Sequence, residues 1–262
     1  MKNNDIVYAA ASFACLLLSL LLLKLSSFSA SSMVNFQNYI IKTGIASTTG
    51  MSTLSALYYF LGPFYMVFAG LVLFAVSVSI IAAYSFNRDN KIGIFTGIIS
   101  AAAAVAVFQS LWSIFIGIGL FAAFFTASKM APVYRDEIKK WRDFRSGSKT
   151  ISRALFFMNI LVVLGVFFAV LSAQSAYAVS FRSEMADVMK LVMNGIPGVP
   201  SIALDHAVDQ AINSSEIFNS YIRWLPVTTA LGAWFLLELL RNIFLSNIAG
   251  LVTFLMSRKI SF

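Results

Sequence analysis

The sequence predicts an all-α, polytopic integral membrane protein with about six transmembrane helices, a small outer helical cap and an inner amphipathic helix. Three observations lead to this prediction. Of the 262 residues, 59% are hydrophobic and 11% are charged, whereas soluble domains carry about 25% charged residues. The apolar residues are gathered into runs long enough to cross a bilayer. Most of the positive charge falls in one segment between two such runs.

That basic segment, residues 129–153, orients the whole chain. It contains three acidic residues and eight basic ones. Loops rich in Lys and Arg stay on the cytoplasmic side of a membrane, so we place this segment inside. An even number of crossings then places the N and C termini in the cytoplasm as well. The basic residues are Lys129, Arg135, Lys139, Lys140, Arg142, Arg145, Lys149 and Arg153.

Residues 92–128 are the hardest apolar run to assign. As one helix they would extend about 55 Å, well beyond an apolar thickness of about 30 Å. A single crossing would also put the basic segment outside. Two short crossings joined by a turn near Gln109 and Ser110 avoid both problems. The predicted transmembrane helices are therefore 6–29, 57–84, 92–108, 111–128, 154–180 and 225–257.

The remaining charges agree with this six-crossing topology. Besides the basic segment, the predicted inner side holds Lys2, Arg88, Lys91, Arg258 and Lys259. The predicted outer side holds only Lys42, Arg182, Lys190 and Arg223. This bias has the sign expected for cytoplasmic loops.

The first and last apolar runs leave alternatives open. The first resembles a signal peptide in position, but its apolar core exceeds 7–15 residues, which favours a retained helix over a cleaved one. Residues 225–257 are interrupted by Glu238, Arg241 and Asn242. They form either one tilted helix or a crossing followed by a re-entrant or interfacial segment.

The two outer segments differ in character. Residues 30–56 are rich in Ser, Thr, Gly and Asn, and we expect a mostly irregular loop. Residues 181–223 carry apolar residues at helical spacing on both sides of the Gly- and Pro-containing stretch 195–200. They predict two amphipathic helices that form the small outer cap.

The basic segment itself predicts an amphipathic helix at the inner membrane surface. Tyr134, Ile138 and Trp141 share one helical face, and Pro132 suits a first turn. Such a helix would bind anionic lipid headgroups. The alternative is a solvated loop; nucleic acid binding is not expected, because the charge is tied to membrane flanks. The candidate lipid-surface residues are Arg135, Lys139, Lys140, Trp141, Arg142 and Arg145.

Four polar residues within the predicted transmembrane helices are the main functional candidates. Glu238 and Arg241 are three positions apart, which brings their side chains together on one helix face. Charges inside a membrane are costly and face protein or water, so the pair favours mutual neutralisation, a place on an ion path or a contact with another subunit. Asn159 and Gln174 are expected to form hydrogen bonds between helices.

Small residues predict close packing in the hairpin of the third and fourth helices. Gly93, Gly97 and Ala101 recur every four positions in one helix, and Gly117 lies in the other. Small residues at such spacing let membrane helices approach closely. We expect this packing within the hairpin rather than between two copies of the chain.

Catalytic, metal and cofactor sites find little support. Asp205, His206 and Asp209 share helical faces, but two or three ligands from one turn make a weak metal site, so a solvated acidic face is favoured. Nucleotide-binding glycine motifs and the H-E-x-x-H motif are absent from the sequence. The single cysteine, Cys15, excludes an intrachain disulfide. We therefore expect no catalytic residue, metal or cofactor.

These observations favour a non-catalytic, membrane-embedded scaffold, anchoring or regulatory subunit of a membrane complex. Its expected partners are the lipid bilayer, anionic headgroups at the inner face, and other proteins or further copies of the chain. The alternative is a small oligomeric channel or transporter with a polar path near Glu238 and Arg241. An enzyme that uses the outer acidic residues is a third, weaker hypothesis.

Overall fold

The computed structural model describes residues 3–26, 29–46, 53–86, 91–193 and 201–260, and these residues are almost entirely helical. Apolar runs with no Gly or Pro clusters favour helix, because a helix satisfies its own backbone hydrogen bonds. The helices are α1 (Asn3–Leu25), α2 (Ala30–Ala46), α3 (Thr53–Ser85), α4 (Lys91–Phe108), α5 (Ser113–Glu137), α6 (Arg142–Ser172), α7 (Gln174–Met193), α8 (Ser201–Ser214), α9 (Glu216–Leu240) and α10 (Ser246–Ile260), with a π-helical segment, Arg241–Leu245, between α9 and α10.

Within the described residues, six helical stretches are long and apolar enough to cross a membrane, which is the number that the sequence predicts. Their bounds differ from the predicted ones. The fifth begins at Arg142 rather than at residue 154 and ends at Ser172, and the sixth is a continuous helical run from Glu216 to Arg258. The six stretches are Ile6–Leu25, Phe64–Ser85, Lys91–Phe108, Ser113–Glu137, Arg142–Ser172 and Glu216–Arg258.

The chain divides into two compact units. The first comprises Met1–Ser27, Phe64–Gly165 and Gly232–Phe262, and the second comprises Phe28–Pro63 and Val166–Leu231. The first unit contains the predicted hairpin, the basic segment and the Glu238–Arg241 pair. The second contains the predicted outer segments.

Serine side chains join α1 to α3 in the first unit. Ser12 and Ser77 each donate a hydroxyl hydrogen bond to the other's carbonyl, at 2.9 and 2.7 Å. Ser19 donates to the carbonyl of Gly70 at 2.7 Å. As the numbers rise in one helix they fall in the other, so the two helices are antiparallel. Lys24 donates to the carbonyl of Val107 at 2.7 Å, which brings together the C-terminal ends of α1 and α4.

Helices α4 and α5 form the predicted antiparallel hairpin. Gln109, at its turn, has a φ of 49°. A Cβ on Gly93 would overlap the side chain of Ser128, and one on Gly117 would lie 3.1 Å from the carbonyl oxygen of Ala101. Gly97 likewise packs against Phe121. The small residues singled out in the sequence therefore lie where the two backbones come closest, which is the expected arrangement.

Helix α6 lies antiparallel to both α5 and the last helical run. A Cβ on Gly119 would lie 3.3 Å from the side chain of Met158, and one on Gly165 would lie 3.1 Å from that of Phe115. At the other end of α6, Gly147 is so close to Thr253 that a Cβ there would lie 2.5 Å from the threonine side chain. The first turns of α6 therefore pack on α10, and its middle part packs on α5.

In the second unit, the expected irregular loop at 30–56 is wrong for residues 30–46, which form α2, and for residues 53–56, which begin α3. Residues 47–52 lie outside the described residues. The reason for α2 is amphipathicity within a polar sequence. Val34 is buried in a cluster with Val170 and Leu225. The neighbouring amides take part in hydrogen bonds, since Asn38 accepts from the Tyr221 hydroxyl at 3.1 Å. A Ser- and Asn-rich segment can therefore be an ordered helix when its few apolar residues share one face.

The two helices predicted for the outer segment are α7 and α8. Phe181, Met185, Val208 and Ile212 form one buried cluster that joins them. The stretch 195–200, which is predicted to separate them, lies outside the described residues. The fifth helix that is long and apolar enough to cross a membrane ends at Ser172, earlier than predicted, and α7 begins two residues later.

Candidate polar cluster and basic face

Glu238 and Arg241 form an ion pair at the end of α9. The two charged groups are in direct contact, and the side chains are only 16% and 15% exposed. Their spacing of three residues places them on the same side of the helix, as expected. The partial burial means that each charge depends on the other and on nearby protein groups for its stabilisation.

Helix α6 supplies those nearby groups. The amide of Asn159 donates to a carboxylate oxygen of Glu238 at 3.0 Å. Nη1 of Arg241 donates to the carbonyl of Ser152 at 3.1 Å, and its guanidinium lies 5.2 Å from the ring centroid of Phe156. We call Asn159, Glu238 and Arg241 the polar cluster. It joins two helices that are far apart in sequence.

Arg241 also begins the π-helical segment Arg241–Leu245. The backbone amide of Ser246 and its hydroxyl both donate to the carbonyl of Arg241, the hydroxyl at 2.7 Å. Nε of Arg241 is buried without a hydrogen-bond partner. Single π turns inside α-helices are frequent at functional sites. No feature of the sequence signals this turn.

Gln174, the fourth polar candidate, belongs to the second unit rather than to the polar cluster. Its amide donates to the carbonyls of Ile222 and Arg223, at 2.8 and 3.4 Å. It therefore forms the expected hydrogen bond between helices, here from α7 to α9. All four candidate side chains bond to protein groups on another helix.

The separate amphipathic helix expected within residues 129–153 is not present as one element. Helix α5 continues to Glu137, and α6 begins at Arg142. Trp141 lies in the turn between them, with a φ of 54° and 75% of its surface exposed. Tyr134 and Trp141 therefore do not share a helical face. The prediction failed because periodicity cannot distinguish a new helix from the end of one and the start of the next.

The candidate lipid-surface cations have different surroundings. Nε of Arg135 lies 3.2 Å from Asp143, and Nε of Arg142 lies 3.6 Å from the same carboxylate. Lys139 and Lys140 lie in the exposed turn between the helices. Arg145 is exposed on α6 and lines a groove between α5, α6 and α10.

Asp143 is a residue that the sequence analysis missed. Besides contacting two arginines, it accepts a hydrogen bond from the hydroxyl of Ser257 at 2.9 Å. It thus connects the end of α5, the start of α6 and the end of α10. No feature of the sequence distinguishes Asp143 from the other two acidic residues of the basic segment.

The predicted acidic face near His206 is described only in part. Among the described residues, no three His, Cys, Asp or Glu side chains are grouped closely enough to hold an ion. His206 is exposed, whereas the side chains of Asp205 and Asp209 lie outside the described part of the structure.

Comparisons with models of known protein families, with characterised proteins and with solved structures found no match to this chain. The function is therefore inferred from the polar cluster and from the charged groups around it.

Proposed function

We propose that this protein is a non-catalytic, membrane-embedded subunit that anchors, scaffolds or regulates partners in a membrane complex. The polar cluster is the observation that supports this proposal most directly. The carboxylate of Glu238 already contacts two donors, Asn159 and Arg241. A group engaged in this way joins helices, whereas a transport path needs groups that bind and release its cargo.

The surfaces available to partners are apolar and extensive. Phe95 and Ile98 on α4 are 58% and 56% exposed, and Leu251 and Leu255 on α10 are 52% and 53% exposed. In a membrane, such faces are covered by lipid or by helices of another protein. A subunit of a complex is expected to use at least one of them for a protein partner or for a second copy of the chain.

Site-specific photo-crosslinking in native membranes tests this expectation. A photoreactive amino acid placed at Ile98 or Leu255 should yield a defined product with one partner or with a second copy. The same amino acid at Phe124, which is fully buried, is the matched control and should yield none. A chain that forms no product from either exposed face, and that is monomeric in mild detergent, would contradict the proposal.

A flux assay distinguishes this role from a channel or transporter. Liposomes that contain the purified protein should pass protons and small ions no faster than liposomes without it. Flux that depends on the protein and is abolished by Glu238→Ala would overturn the scaffold proposal. It would then favour an ion path through the polar cluster.

A further inference from the structure

A groove lies between the end of α5, the first turns of α6 and the start of α10. Its volume is about 780 Å³, and it is lined by residues from all three helices and from the π-helical segment. It belongs entirely to the first unit. Basic side chains dominate its polar lining, so we call it the basic groove.

Four cations line the basic groove. Arg145, Lys149 and Arg153 follow one another at intervals of four on α6, and Arg241 is contributed by the π-helical segment. Residues at that interval share one helical face. There is no Asp or Glu among the lining residues. The groove therefore combines a high density of positive charge with an absence of compensating carboxylates on its walls.

Two of these cations lack an acidic partner. Lys149 lies 3.8 Å from Glu137, and Arg241 contacts Glu238. By contrast, neither Arg145 nor Arg153 forms an ion pair within the described residues; Arg153 has only a ring contact, 5.3 Å from the centroid of Phe157. The groove thus offers several donors that an anion with multiple oxygens would satisfy.

The chemistry of these donors favours phosphate. Arginine presents a planar set of N–H groups that matches phosphate oxygens, and charge-assisted bonds of this kind are the strongest of their class. The hydroxyl of Ser148 and the amide of Asn242, which also line the groove, are neutral donors of the sort that complete such a site.

The apolar lining favours a lipid as the source of that phosphate. Ile138, Phe144 and Phe156 form part of the same walls. Ile243 and Phe244, which follow the lining residue Asn242, are 52% and 43% exposed. A soluble phosphate gains nothing from such surfaces, whereas the glycerol and first acyl carbons of a phospholipid would cover them.

We propose that the basic groove binds the phosphate group of an anionic phospholipid. Arg145 and Arg153 provide the charge that has no acidic partner among the described residues, Lys149 and Arg241 add further positive charge, and the aromatic side chains of the wall contact the apolar part of the lipid. This inference does not depend on the scaffold role, because a transporter or an enzyme of the same structure would carry the same groove.

Lipid binding to the full-length protein in a neutral detergent provides the test. Native mass spectrometry would count bound phosphatidylglycerol and bound phosphatidylcholine of matched chain length. For the wild type, we expect one phosphatidylglycerol to bind about tenfold more tightly than phosphatidylcholine. The variant R145Q/R153Q should lose about tenfold in that affinity, because it removes the two cations without acidic partners.

The matched control is K91Q/K129Q, which removes the same charge from exposed positions outside the groove. It should change the affinity by less than about twofold. Equal losses in the two variants would mean general surface attraction and would overturn the proposal, as would no loss in either. Should R145Q/R153Q fail to fold, Arg145→Gln alone must still weaken binding, since that exposed side chain has no ion pair to lose.

A competition experiment separates lipid from free phosphate. Glycerol phosphate carries the same anion without acyl chains, and at matched concentration it should displace little phosphatidylglycerol. Displacement at equal potency would show that the groove takes a soluble phosphate compound, and the lipid assignment would be overturned.

Discussion

Glu238 and Arg241 show how far a sequence pattern can define a local interaction. Their spacing predicts contact, because the geometry of a helix determines which neighbours face each other. The third member of the polar cluster could not be identified from sequence spacing. Asn159 was recognised as a polar residue within a predicted helix, but its bond to Glu238 connects positions far apart in the chain. Such pairings depend on tertiary packing, which a single sequence does not encode in any local pattern.

The groups that surround Arg241 could not be predicted from the sequence. Its bond to the Ser152 carbonyl and its unpartnered Nε both depend on the π turn that it begins. No residue type is required for a π turn, so composition carries no signal for it. The basic groove follows from the same turn and from the approach of three helices, and for that reason it emerged only from the structure.

The interdependence of Glu238 and Arg241 gives a prediction at this scale. Glu238→Gln and Arg241→Gln should each lower the free energy of unfolding by about 1–3 kcal/mol, because each leaves a partly buried charge without its partner. The double variant E238Q/R241Q should lose clearly less than the sum of the two, with a coupling of at least about 0.5 kcal/mol.

Reversible unfolding in mixed micelles, followed by circular dichroism, would measure these differences. Asn159→Leu is a useful comparison, since bonds between transmembrane helices average only about 0.6 kcal/mol. Its effect should be smaller than that of either charge variant. Strict additivity of the two charge substitutions would show that the ion pair contributes nothing specific.

At the scale of whole helices, apolar runs predict helices correctly, whereas a polar composition wrongly predicts a loop. The hairpin of α4 and α5 was predicted from length and charge together, and its small residues lie at the helix contact. Helix α2 was missed because Ser, Thr and Asn favour loops when considered one by one. What makes α2 helical is the burial of Val34 and the hydrogen bond of Asn38, and both require the rest of the second unit.

The closest contact of that hairpin leads to the second prediction. Gly93→Ala places a Cβ where it would overlap the side chain of Ser128. Overpacking typically costs about 1–3 kcal/mol, and it should exceed the gain of about 1 kcal/mol that alanine brings to a helix. The variant should therefore be less stable than the wild type in the same micelle assay.

A compensating change makes this test specific. In G93A/S128G the overlapping side chain is removed, and the gain in helix propensity at position 93 offsets the loss at position 128, so most of the lost stability should return. Ala102→Leu, at an exposed position of α4, should have little effect. If G93A/S128G remained as unstable as Gly93→Ala, close packing at this contact would not be the cause.

For the molecule as a whole, helix direction is more informative than any single residue. Within the first unit, α1 is antiparallel to α3, α4 to α5, and α5 to α6, while α1 and α4 share a direction at Lys24 and Val107. This alternation is what six successive crossings require. The helix directions are independent of the charge bias, from which the sequence predicts the sides of the loops.

The third prediction concerns the sides on which the loops lie. Replacing Cys15, the only cysteine, with Ser gives a background in which single cysteines can be introduced. Asn3→Cys, Lys139→Cys and Arg258→Cys should react with a membrane-impermeant maleimide from the cytoplasmic side only. Ile217→Cys, at a position that is 80% exposed and lies within the predicted outer segment 181–223, should react only from the opposite side.

Sealed vesicles of both orientations provide the control, because each position should be labelled in one and protected in the other until detergent is added. The decisive pair is Asn3→Cys and Lys139→Cys. Four apolar helices, α1, α3, α4 and α5, lie between the two positions. If all four cross the membrane, both positions lie on the same face. Labelling from opposite faces would mean that one apolar helix does not cross. The basic groove would then not necessarily face the anionic leaflet, and the proposed lipid would have to be reconsidered along with the topology.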